Sequence, residues 1–102
     1  MITTVEGLRQ GQMVESIQGR DCHQFYLIVG LIGDKYLSLV DGIKHPLAKA
    51  KKKNIKHVRI TMCVDKEIEG YISRGESLYN TQIITAIERL KNQHEEGGRF
   101  HG

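Results

Sequence analysis

Tryptophan is absent from this chain of 102 residues, proline occurs once, at Pro46, and cysteine twice, at Cys22 and Cys63. Two cysteines close one bridge at most, whereas small secreted folds that depend on disulfides carry four or more, so both read as reduced thiols. No stretch approaches the roughly 18 consecutive apolar residues of a membrane span, and no basic segment followed by an apolar signal core precedes the first strand signal. A cytoplasmic protein without a membrane partner is the expectation. Local signatures of catalysis are missing as well: there is no G-x-S-x-G, no G-x-x-x-x-G-K-[ST] and no H-E-x-x-H. Cys22, His23, His45, His57, Cys63, His94 and His101 supply metal-ligand types. Structural zinc sites, however, use paired ligands a few residues apart, and the one close pair, Cys22-His23, is adjacent, which on a strand sends the two side chains to opposite faces. No metal, cofactor or enzymatic activity is expected, and no catalytic residue is assigned.

What the chain holds is ordinary for a folded protein: 39% hydrophobic and 26% charged residues, too rich in Ile, Leu and Val for disorder. A chain of this length has room for one domain and folds without cross-links. Its formal charge is +3, mild support for an anionic partner. The distribution says more than the sum. Acid is lacking between Lys44 and Arg59, where Lys44, Lys49, Lys51, Lys52, Lys53, Lys56 and Arg59 stand together, and the rest of the chain is net negative by four.

Short apolar runs separated by turn residues predict strands. Met13 to Ile17 runs between Gly11 and Gly19-Arg20-Asp21. Phe25 to Val29 is closed by Gly30 and Gly33-Asp34. Tyr36 to Val40 ends in Asp41-Gly42, a dipeptide favoured in tight hairpins. A fourth strand is expected over Ile43 to His45, short or at an edge because Pro46 has no N–H for a central ladder, and a fifth over Val58 to Met62. Five short antiparallel strands predict a small closed or half-closed barrel, since closure removes exposed edges. From Asp65 to Ser77 the chain is polar, with Ile68, Tyr71 and Ile72 spaced as in a short helix. Asn80 stands as an N-cap, Tyr79 and Ile84 as a hydrophobic staple, and Ile83, Ile84, Ile87 and Leu90 recur at helical spacing before Gly97-Gly98. The expected organisation is mainly β with a C-terminal helix. A barrel covers 9–63, a linker or short helix 64–79, a helix packed on the barrel 80–96, and a frayed tail 97–102.

The run from Lys49 to His57 lies between two expected strands and reads as a flexible cationic loop. Ammonium groups on flexible stems can follow a phosphate backbone without demanding planar geometry. The plain alternative is a solvated loop whose lysines serve solubility. Clustering with acids excluded favours nucleic acid, with Lys49, Lys51, Lys52, Lys53, Lys56 and Arg59 on phosphates and Arg20 and Lys44 at the margin. Tyr26 and Tyr36 are candidates for a base-stacking surface, with a core position as the ordinary alternative.

The segment Gly11-Gln12-Met13-Val14-Glu15-Ser16-Ile17-Gln18-Gly19-Arg20-Asp21 resembles the KOW motif, a stretch of alternating apolar positions with a turn glycine. That glycine falls on Gly19 when the stretch is counted from Arg9. With Tyr26, Tyr36, Leu39-Val40-Asp41-Gly42, the lysine run ending in Lys56-His57 and the Asn80 helix, residues 9 to 91 resemble the bacterial KOW-domain RNA-binding proteins. These are akin to a large-subunit ribosomal protein of archaea and eukaryotes. Where many relatives continue Arg-Asp with Lys-Gly, this chain has Cys22-His23, losing one cation from the turn. The resemblance implies an SH3-like (KOW) five-stranded barrel and a ribosome- or translation-associated protein that binds RNA, ribosomal RNA above all. The rival expectation is a protein-interaction module docking on ribosomal proteins or the transcription machinery. Its proline-rich-peptide version is disfavoured by six aromatics and no tryptophan.

Overall fold

In the computed structural model, which describes the backbone of residues 4–101 and the side chains through Glu95, five strands form one antiparallel sheet. They are β1 (Gln12–Ser16), β2 (Phe25–Ile32), β3 (Tyr36–Val40), β4 (Lys51–Asn54) and β5 (Val58–Val64), followed by the helices α1 (Lys66–Arg74) and α2 (Asn80–His101). Their order across the sheet is β4-β3-β2-β1-β5, which puts β4 and β5 at the edges.

Both faces of the sheet are covered. Val14, Tyr26, Ile28, Leu37, Leu39, Ile55 and Val58 form one apolar cluster. Met13, Leu27, Val40, Ile68, Ile83, Ala86, Ile87 and Leu90 form a second, in which α1 and α2 close the other face. Two-sided burial explains why Met13-Val14 and Phe25 to Val29 read as continuous apolar runs, since consecutive residues serve opposite clusters. Ile83 and Leu90 are fully buried, Ile87 nearly so and Ile84 half-buried. The expected stripe therefore lies against the sheet.

Three local expectations give way. Ile43 to His45 is not a strand. The Asp41 carboxylate accepts the N–H groups of Ile43 at 2.9 Å and His45 at 2.8 Å, which closes a turn. Gly42 holds φ +83° there, and a Cβ would stand 2.7 Å from the Asn80 carbonyl, so the turn can lie against the start of α2 only as glycine. The fourth strand is instead the lysine run itself, Lys51–Asn54, hydrogen-bonded to β3 with Leu37 opposite Lys53 and Leu39 opposite Lys51. Short 3-10 turns flank it at Leu47–Lys49 and Ile55–His57.

The start of α2 is the third. The Asn80 side chain accepts the Leu47 N–H at 2.8 Å rather than capping its own helix. The Gln82 side chain reaches back to the Tyr79 N–H at 2.8 Å, half of a capping box set one residue earlier. The staple shifts with it: Tyr79 is 66% exposed, while Leu78 and Ile83 share the second cluster. The backbone of α2 continues past Gly97-Gly98 to His101. Of the tail expected over 97–102, Gly102 and the side chains lie outside the described residues.

Asp65 caps α1 by accepting the Ile68 N–H, and its other oxygen pairs with Arg89 of α2. Among the described residues no helix is long and apolar enough to cross a membrane.

Candidate nucleic-acid interface

Lysines at 51, 52 and 53 on a strand cannot all face the same way. Lys51 and Lys53 share a face with Leu39 and Leu37, on the inner side of the sheet. Both end on one carboxylate. Asp21, in the turn between β1 and β2, receives Lys51 Nζ at 2.7 Å on Oδ2 and Lys53 Nζ at 2.8 Å on Oδ1. Tyr26 OH donates to Oδ2 at 2.9 Å and Ser16 Oγ to Oδ1 at 2.9 Å, so all four acceptor sites of the carboxylate are taken. Burial alone pushes the Asp21 carboxyl up, but hydrogen bonds from Lys51, Lys53, Tyr26 and Ser16 outweigh it and hold the group far below the usual carboxylate range. The same contacts act on the Tyr26 phenol, which burial first, then Asp21 and Asp41, push well above its ordinary value.

This hub alters the roles expected from the sequence. Lys53 is buried, at 8% exposure, and also donates to the Gln18 carbonyl at 2.8 Å. It is a structural cation, and Lys51 is shared between Asp21 and solvent. Tyr26 is buried at 2% with its hydroxyl on Asp21, so no base can stack on it. Arg59, exposed on β5, leans on Glu15 at 3.3 Å, the same carboxylate that meets His23 Nδ1 at 3.0 Å. His23 itself holds φ +74°, the one described residue other than glycine in that region.

Lys49, Lys52, Lys56, Lys44 and Arg20 are exposed and make no ion pair among the described residues. They fall into two places. Lys52 borders an open trough of about 590 Å³ along the outer edge of β4, lined also by Gln18, Gly19, Tyr36, Lys51, Lys53, Asn54 and His57; Lys49 and Lys56 stand in the turns at either end of the strand. Arg20 and Lys44 border a smaller cleft of about 250 Å³ with Asp21, Asp41, His45 and Lys51, where two carboxylates offset the cations. No carboxylate lines the trough.

Tyr36 is the exposed aromatic in it, at 39%, and Lys52 Nζ lies 4.6 Å from its ring centroid. At an exposed site such a cation–π contact contributes about 0.5–1 kcal/mol. Cys22 and Cys63 are half-buried free thiols. Among the described residues no three His, Cys, Asp or Glu side chains come together as a metal site. The His101 side chain lies outside them.

No family model and no curated protein matches the chain.

Sequence reasoning missed Asp21, named only as part of a turn. The one available signal was indirect: three consecutive lysines on a strand require a partner for those that face inward.

Proposed function

We propose that the chain is a cytoplasmic RNA-binding protein, associated with the ribosome or the translation machinery, that holds phosphates against the basic trough along β4. The observation that carries this reading is Lys52 on the trough, with Lys49 and Lys56 in the turns at either end of β4, all three exposed and without an ion-pair partner among the described residues. A polyanion laid along such cations releases its condensed counterions. The likeness to KOW-domain proteins supports the same reading. In it the five strands make an SH3-like barrel, with the 3-10 turn at Ile55–His57 leading from β4 into β5. A second reading, a module docking on ribosomal or transcription-machinery proteins, is favoured by Ile43, Met62 and Tyr79, large apolar side chains exposed at 71%, 89% and 66%.

Charge reversal separates the two. The double variant Lys52→Glu, Lys56→Glu is expected to abolish RNA association and to keep its stability, since exposed charges seldom change it by more than about 0.5 kcal/mol. Binding of the native chain is expected to fall with salt at a logarithmic slope of about −2 to −4, for three to four phosphates and about 0.7–0.9 counterions each. If the double variant co-sediments with ribosomes as well as the native chain does, protein docking takes the lead.

A further inference from the structure

The outer edge of β4 carries more than charge. Register sets Tyr36 opposite Asn54 and Ser38 opposite Lys52, so these four side chains share one face of the β3–β4 ladder. Across the trough stands the turn at Gln18-Gly19, where φ +93° and the missing side chain leave the bank open. The trough's volume, about 590 Å³, falls within the roughly 300–1,000 Å³ of sites that take small organic groups. Asn54 Oδ1 already accepts the Lys56 N–H at 2.9 Å, which leaves its NH₂ directed elsewhere and in no hydrogen bond among the described residues.

We infer that this trough takes a single-stranded stretch of RNA, with one unpaired base stacked on Tyr36 and the flanking phosphates on Lys52 and Lys56. The inference rests on the RNA-binding reading above and adds the class of RNA. A duplex keeps its base faces inside the stack and offers only phosphates, sugars and groove edges, so an exposed ring has nothing to hold on it. A looped or unpaired segment presents the base face. In the unbound protein that ring face is covered by the Lys52 ammonium. Carried on a flexible four-carbon stem, the ammonium moves to a neighbouring phosphate when a base takes its place, so one side chain serves both states. Tyr36, exposed beside cations, has the placement this requires; Tyr26, buried on Asp21, does not.

The chain has no tryptophan, so Tyr36→Trp introduces the sole indole, at the stacking position itself. Fluorescence anisotropy with a labelled oligouridylate and with an RNA duplex of equal length, on the full chain and its variants, tests the inference. Tyr36→Ala is expected to weaken single-strand binding about 5- to 150-fold, the range for loss of one stacked base. Tyr36→Phe keeps the affinity, and duplex binding is the same for all three. Emission of the introduced indole is expected to be quenched by the single strand and left unchanged by the duplex and by inorganic polyphosphate. Circular dichroism of each variant separates a lost contact from a lost fold. If Tyr36→Ala binds the single strand like the native chain while the Lys52→Glu, Lys56→Glu variant does not, this inference falls and RNA binding through phosphates stands. If the native chain binds neither RNA, both fall.

Discussion

Asp21 links four side chains from three strands, and its ionisation ties the fold to pH. Its value in the folded protein lies far below the roughly 3.9 of an unfolded aspartate. A depressed carboxylate contributes stability that is fully present above about pH 4 and is lost progressively as the pH falls below it. Tyr26 works in the opposite sense. Its raised value favours the neutral phenol, so its contribution holds below about pH 10 and fades as the pH rises further. Asp21→Asn leaves Lys53 buried without a counter-charge and turns an amide towards donors. The expected loss is about 3 kcal/mol at pH 7 by urea unfolding, in line with removal of one partner from a buried pair. The variant's stability should also fall less steeply than the native chain's below pH 4. An unchanged midpoint would mean that the hub is not what holds β4. For the same reason Lys53→Glu is a folding variant, and the charge-reversal test of binding belongs on Lys52 and Lys56.

Among the elements, β3 over Tyr36–Val40 stands at the bounds the apolar run indicates, and the buried stripe of α2 follows from its spacing. Truncating Ile83, fully buried between α2 and the sheet, is expected to cost about 2–5 kcal/mol. A change near zero in thermal or urea unfolding would mean that the helix does not depend on that face. β4 was not legible, because Lys-Lys-Lys-Asn has neither apolar alternation nor β-propensity. It becomes a strand through its neighbours, β3 alongside and Asp21 about thirty residues earlier in the chain. The opposite error at Ile43–His45 has a local cause: one Asp41 oxygen collects two backbone N–H groups and bends a stretch that composition allowed to extend. The cationic segment was visible as a segment. Which of its lysines face water depended on pairings that no spacing rule encodes.

At the scale of the molecule, charge and apolar burial are divided between places. The helices cover one face of the sheet, and Lys49, Lys52 and Lys56 stand along the β4 edge strand and its flanking turns. Such a division orients an approaching polyanion before contact is made. The edge position has a further consequence. β4 is four residues long and carries no apolar side chain, and what holds it is one ladder, two ion pairs to Asp21 and the hydrogen bond from Lys53 to the Gln18 carbonyl. In native-state hydrogen exchange such a strand opens at lower free energy than the central strands it pairs with. The amides of Lys51–Asn54 are therefore expected to exchange well before those of β1 and β2, and to be slowed selectively when RNA is bound. Equal protection across all five strands would contradict this. The strand proposed to grip RNA is thus the least anchored piece of the sheet, and ligand binding and local folding become one equilibrium there, with bound RNA adding to the stability of its own site.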